Sequence, residues 1–275
     1  MKDLIIGCSS NYNWDRIKFW VNSVNRSGFT GDKVLILMNC DRNTVEKILN
    51  SGFEIISFNQ DNNGNLVYRP ENHAIQVERY LHIYNYLRDK DYRYVITTDT
   101  KDVVFQKNPI EFIEENLGNS NLLCSSESIL YKDEPWNNSN LLEAFGPFFH
   151  NIFKNNVVYN SGVIAGNGCA IRDLAANVFA MATNRPALFI DQAVYNFIIS
   201  QEPYLSTSRY IKSEDGWAAQ LGGTAVEKFK PFLLEPSPSL SDNSIVTSQG
   251  KIFTIVHQYD RIPGWKEIIE EKFND

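Results

Sequence analysis

The chain has 275 residues, 43% of them apolar and 21% charged, with a net charge of −7. That is the composition of a globular protein long enough to bury a substantial core. An acidic chain with no block of Lys or Arg argues against a nucleic-acid or anionic-membrane surface, and no stretch reaches the ~18 consecutive apolar residues of a membrane span.

The opening MKDLIIGCSS holds an apolar run shorter than the ~7–15 residues of a signal peptide. It stops in small polar residues, so DLIIGCSS predicts a parallel strand that ends at a site. Trp14, Ile17, Trp20, Val21 and Val24 then recur at helical spacing. KVLILMN predicts a second buried strand, TVEKILNSG a helix with Gly52 placed to end it, and FEIISFN a third strand. This β-α-β-α-β order predicts a parallel sheet with right-handed crossovers. NQDNNGNLVYRPEN is polar, is broken by Gly64 and Pro70, and predicts a loop. Val77, Tyr80, Leu81, Tyr84 and Leu87 share one helical face.

YRYVITTDTKDVVFQ predicts a fourth strand and its continuation. NPIEFIEENL predicts a helix with Pro109 near its start, and NLLCSSES a strand ending in Ser-Ser-Glu. Residues 130–158 are rich in Asn, Pro and aromatics and carry no clear period. VVYNSGVIAGN predicts a strand interrupted at Asn160-Ser161-Gly162, and CAIRDLAANVFAMATN a helix. DQAVYNFIIS predicts another helix, with Asp191 in the first turn, where a carboxylate suits the dipole. Beyond Pro203 come short strands and loops as far as KIFTIVHQYD, then a short helix in GWKEIIEEKF. With no internal repeat or linker, the expectation is one α/β domain over 1–275. Cys8, Cys40, Cys124 and Cys169 are scattered without a CxxC, which points to reduced thiols and a cytoplasmic setting.

Open α/β sheets bind ligands at the carboxyl ends of their strands. Polar interruptions fall at such ends in five places: Ser9–Asn11, Asp99–Asp102, Glu127, Asn160–Gly162 and His257–Asp260. Each has an ordinary reading by itself. A strand-end carboxylate commonly faces water, His257 could be a hydrogen-bonded core histidine, and Asp191 a helix N-cap. Arg79 could be a solvated helix residue, Glu127 the partner of a Lys, and Trp217 and Trp265 core or cleft wall. Together the five suggest one shared cleft. Asp99 and Asp102, three positions apart after an apolar strand, are candidate metal ligands, with Lys101 between them directed away from the metal. Ser9, Asn11 and Tyr12, after the first strand, are placed to bond and stack a nucleotide base.

The order is Arg79 on a helix, Asp99-x-x-Asp102 after a strand, Asn160-Ser161-Gly162, Asp191-Gln192 opening a helix, and a late His257 in HQYDR. Over residues 4–265 this resembles the nucleotide-sugar-dependent glycosyltransferases of the GT-A fold, in particular the subset that includes bacterial galactosyltransferases and glycogenin. The resemblance implies a mostly parallel central sheet flanked by helices, with a Rossmann-like nucleotide-binding half over about 1–110. An acceptor half with the metal-ligand tail would follow over about 111–275. TTDTKD resembles the Asp-x-Asp signature, in which the first Asp contacts ribose and metal and the last coordinates an ion bridging the diphosphate. This chain departs from it in having Asp-x-x-Asp. The resemblance makes His257 the third metal ligand and puts Arg79 near the donor. It places Asn160, Ser161, Gly162, Asp191 and Gln192 along the donor sugar and the acceptor.

The implied function is metal-dependent transfer of a sugar from a nucleoside-diphosphate sugar to a glycan or other hydroxyl acceptor. Two carboxylates and an imidazole favour Mn2+, with Mg2+ the alternative. Asp191-Gln192 looks like the pair of the retaining members, which favours retention; under inversion Asp191 or Glu127 would be the base. A sugar nucleotidyltransferase is one alternative, but it calls for a Gly-rich basic segment after the first strand, and GCSSNYNW has one Gly and no Lys or Arg. A non-catalytic nucleotide- or glycan-binding module is the other.

Overall fold

The apolar run near the start of the chain lies inside the sheet. In the computed structural model, which describes residues 1–67, 74–183, 185 and 187–274, β1 (Lys2–Ser10) is followed by α1 (Trp14–Arg26), β2 (Asp32–Met38), α2 (Arg42–Asn50) and β3 (Glu54–Ile56). A small hairpin of β4 (Asn59–Gln60) and β5 (Leu66–Val67) precedes α3 (Ile75–Leu87), β6 (Tyr92–Thr98), β7 (Val103–Phe105) and α4 (Pro109–Asn116). Next come β8 (Leu122–Leu130), α5 (Pro135–Phe153), β9 (Val157–Asn167), α6 (Gly168–Ala182) and α7 (Asp191–Ile199). The remainder holds α8 (Tyr204–Thr207), β10 (Ser208–Ile211), β11 (Ala218–Gln220), α9 (Leu221–Thr224), β12 (Ser239–Ser241), β13 (Ser244–Val246), β14 (Ile255–His257) and α10 (Trp265–Lys272).

The main sheet has seven strands in the order β10-β8-β9-β6-β1-β2-β3. Its neighbours pair in parallel except β9, which runs antiparallel between β6 and β8. Strand alternation divides the core into two faces. Leu4, Ile6, Val34 and Ile36 pack with residues of α3, α6 and α7, while Ile5, Leu35 and Leu37 pack with Trp20 and Val24 of α1. Both faces are covered, so these strands read as unbroken apolar runs. Among the described residues no helix is long and apolar enough to cross a membrane.

Several elements differ from the expectation. The fourth strand does not run on into VVF. The chain turns after Thr98, and β7 joins a separate three-stranded sheet, β11-β14-β7, antiparallel to β14. The turn is pinned on both sides: Asp99 N donates to Gly162 O and Gln258 N to Asp102 O, each at 2.8 Å. The expected loop after β3 contains the β4–β5 hairpin, whose turn is closed by Asp61 accepting from the amides of Asn63 and Asn65 at 2.9 Å. Pro70 of that segment, and Asn184 at the end of the helix expected from residue 169, lie outside the described residues. Most of residues 130–158 lie in α5, which is broken at Gly146 (φ 77°) and Pro147. The break, together with exposed Phe148 and Ile152, hides the helical period. β9 continues through Asn160–Gly162, and the irregularity falls in its pairing with β8, which shifts between Cys124 and Ser126.

Candidate active site

Asp99, Asp102 and His257 converge at the carboxyl ends of β6 and β14, offering ligand atoms within 4.8 Å of one another. His257 Nε2 lies 3.5 Å from Asp99 Oδ2 and 3.7 Å from Asp102 Oδ1. Burial pushes Asp102 above the ordinary carboxylate range, with His257 opposing and Asp99 adding to the shift. For Asp99, burial is outweighed by the charges of Arg79 and His257, which hold its carboxyl well below that range. For His257, burial is outweighed by the two carboxylates, which raise it.

Gly162 closes the triangle. A Cβ there would stand 2.5 Å from His257 Cε1 and 2.8 Å from Asp99 Oδ2, so a side chain could not enter without moving two of the three groups. The close approach that the missing side chain permits is therefore to the acid–histidine triangle. Two carboxylates and one imidazole with ligand atoms this close together fit a divalent cation of borderline softness.

Arg79 is a cleft residue, its side chain only 11% exposed. It is ion-paired through Nη1 with Asp99. Nη2 donates to Asp191 Oδ2 at 3.0 Å and to the Ser161 carbonyl at 3.2 Å. Among the described residues its buried Nε has no partner. Two cavities, of about 620 and 250 Å³, meet at Arg79, Asp99 and Asp102, with Gln76 and Arg261 also lining both. Lys101 turns from the triangle to pair with Asp260 at 2.8 Å and lines the smaller cavity.

The floor of the larger cavity is a buried network of amides and one acid. Glu127 Oε1 accepts from Asn160 Nδ2 at 2.7 Å and Gln192 Nε2 at 2.9 Å, and Oε2 accepts from Asn137 Nδ2 at 3.3 Å. Gln192 Nε2 also donates to Asn137 Oδ1 at 2.7 Å, and Gln192 Oε1 accepts from Ser161 N at 3.0 Å. Burial raises the Glu127 carboxyl, and the Asn160 and Gln192 amides pull it partly back. Asp191, at the start of α7, is likewise raised by burial against the pull of Arg79. Half-exposed Trp136 and Phe189 stand among the lining residues of this cavity.

Tyr12 lines the smaller cavity together with Cys8 and Ser10. Ser9 is not among its lining residues: it is 1% exposed, as the alternation of β1 requires, and its Oγ has no partner among the described residues. Asn11 adopts φ 61° at the turn leaving β1 and donates to Ser10 Oγ. Trp217 is buried against Phe112, and Trp265 packs partly buried on another apolar cluster. Arg261, Asn137 and Gln220 were not singled out in the sequence. Arg261 sits four residues after His257 in HQYDR, a spacing that would have pointed to it. Gln220 and Asn137 lie in segments without a readable period.

No family model matches the chain, and no curated protein matches it. Solved structures do. The glycosyltransferase GlyE of Streptococcus pneumoniae TIGR4 aligns with a TM-score of 0.53 at 14% identity, over 100% of this chain and 64% of that one. Its apo form gives 0.54 at 12%, over 100% and 63%. Mouse xyloside xylosyltransferase 1, in its apo form, gives 0.54 at 13%, over 95% and 99%. This chain therefore spans just under two thirds of the length of the GlyE chains it matches. At such identities the likeness defines architecture: the expected α/β fold, a mostly parallel sheet flanked by helices in the GT-A-like arrangement of these glycosyltransferases, is the one found.

Proposed function

We propose that the chain is a metal-dependent glycosyltransferase that moves a sugar from a nucleoside-diphosphate sugar to a hydroxyl acceptor, Mn2+ being the favoured ion. The observation that carries this reading is the meeting of Asp99, Asp102 and His257 with Arg79 at the junction of two cavities. A cation held by the three residues would neutralise charge developing on the departing diphosphate. The smaller cavity, with Tyr12 on its wall, suits a nucleoside, and residues up to about 110 would carry it. Lys101 and Arg261 supply positive charge beside the triangle. The larger cavity suits the donor sugar and the acceptor, and Trp136 and Phe189 offer half-exposed aromatic faces to a glycan.

Retention is the course the hydrogen bonding favours. An inverting transferase needs a carboxylate free to take the acceptor proton. Asp191 Oδ2 already accepts from Arg79 at 3.0 Å and from Ser161 Oγ at 3.1 Å, and three amide donors engage Glu127. In this reading Gln192 positions and polarises as a neutral amide, Asp191 orients hydroxyls, and Asn160, Ser161 and Gly162 form the wall beside the sugar.

The test is a melting-temperature screen of nucleoside-diphosphate sugars with and without Mn2+. A ligand at 100 times its Kd stabilises by about 2.7 kcal/mol. The donor so found is then offered to glycan acceptors, and the linkage formed is read by NMR. Stabilisation without transfer would favour a binding module, and an inverted linkage would return Asp191 or Glu127 to the role of base. If no nucleotide sugar stabilises the chain, the proposal fails.

A further inference from the structure

An imidazole can turn its lone pair outward from either nitrogen, and in His257 it is Nε2 that faces Asp99 and Asp102. Ligation through Nε2 requires the ring proton to stay on Nδ1. We propose that Gln220 is the positioning residue that holds it there, a role that rests on the metal reading above.

The geometry is specific. His257 Nδ1 lies 2.7 Å from Gln220 Oε1, and Gln220 is completely buried. The two residues are register partners on parallel β11 and β14, so the backbone sets their side chains next to each other. The far end of the amide has a partner as well. Gln220 Nε2 lies 3.0 Å from Oγ of Ser125, a residue 1% exposed on β8 of the main sheet. With the hydroxyl accepting from Nε2, Oε1 is left to accept from Nδ1–H. The reverse orientation would aim an N–H at Nδ1 and put the ring proton on Nε2, facing the carboxylates, where it blocks ligation. A glutamine suits the place because it offers an acceptor at one end and a donor at the other.

The relay Ser125–Gln220–His257 also crosses between sheets. Asp99 and Asp102 follow a strand of the main sheet, whereas His257 belongs to the small one. Gln220 thus ties the histidine to the sheet that positions its co-ligands. Hydrogen-bond partners of ligating histidines are worth about 10–100-fold in metal affinity in other proteins.

The test is calorimetric titration of Mn2+ alone into metal-stripped protein, with a melting curve on each variant. Q220M keeps the length of the side chain and removes the acceptor, and should bind Mn2+ about 10–100-fold more weakly. Q220E keeps an acceptor facing Nδ1 and should stay within a few-fold of the unmodified protein. S125A, which frees the amide to turn, should fall between the two. Q220M binding as tightly as the unmodified chain, or Q220E as weakly as Q220M, would overturn the assignment. Should Q220M fail to fold, S125A and Q220E decide: unchanged affinity in S125A, or an affinity loss in Q220E larger than that in S125A, overturns it. If the unmodified protein itself binds no Mn2+, the metal reading falls and this one with it. Mn2+ binding by the unmodified protein that Q220M leaves unchanged tells against Gln220 and leaves that reading standing.

Discussion

β1 and β2 of the large sheet, nine and seven residues long, are covered on both faces by helices, whereas β7, β11 and β14 of the small sheet have three residues each. Yet the cleft draws on both. Asp99 and Asp102 leave the large sheet, His257 comes from the small one, and Gly162 on β9 fits between them. The strands of the large sheet supply more buried apolar side chains than those of the small one, and the small sheet decides whether the acids have a partner. Stability and site assembly are therefore separable, and each substitution below should move one without the other or expose a coupling between them.

The largest effect belongs to the ligand triangle. Asp102→Asn and His257→Ala should each lower metal-dependent turnover by at least about a thousandfold, on the order of 4 kcal/mol in the barrier. Because burial raises the Asp102 carboxyl, its charge is a cost to the metal-free fold. D102N should therefore melt at or above the unmodified temperature. A melting point several degrees lower would break the proposed separation of site from stability.

Gly162→Ala should come next. The added methyl must displace His257 or Asp99, so Mn2+ affinity and turnover should both drop by roughly a hundredfold, the upper end of what disturbing a ligand's support costs. Titration with Mn2+ checks this, and unchanged affinity would mean that the triangle has slack.

Arg79→Ala should raise the donor KM or lower kcat by at least about tenfold, near 1.4 kcal/mol. Arg79 bridges Asp99 and Asp191, so steady-state kinetics like those of the unmodified enzyme would show that the bridge does not act on the donor. Gln192→Ala should slow transfer by a smaller factor without abolishing it, since a neutral amide only positions and polarises.

The smallest effect concerns α3 one turn from Arg79. Burial pushes His82 down from 6.5 to about 4. Between those values the unfolded chain binds more protons than the folded one. The stabilising contribution of neutral His82 is present above pH 6.5 and is lost as pH falls through the folded value. The denaturation midpoint of His82→Gln should therefore vary less with pH across that window than that of the unmodified chain. Parallel curves would place His82 outside the linkage.

What the sequence by itself determined is whatever repeats locally. Both faces of β1 and β2 are buried, so their runs are continuous and readable, and α1 and α3 carry apolar faces at helical spacing. That Asp99, Asp102 and His257 gather at one cleft was legible because polar residues at the ends of apolar strands stand out, whereas Arg79 came only from the family resemblance. The tertiary structure decided the rest. VVF reads like the continuation of a strand, but its partner, β14, lies some 150 residues further along the chain, and three residues are too few to declare which sheet they join. Ser9 and Ser10 look alike in sequence, and the twofold alternation of a buried strand sends one into the core and the other to the cavity. Gln220 carries no signal at all, because its function is a relation to Ser125 and His257 that exists only once the two sheets have packed.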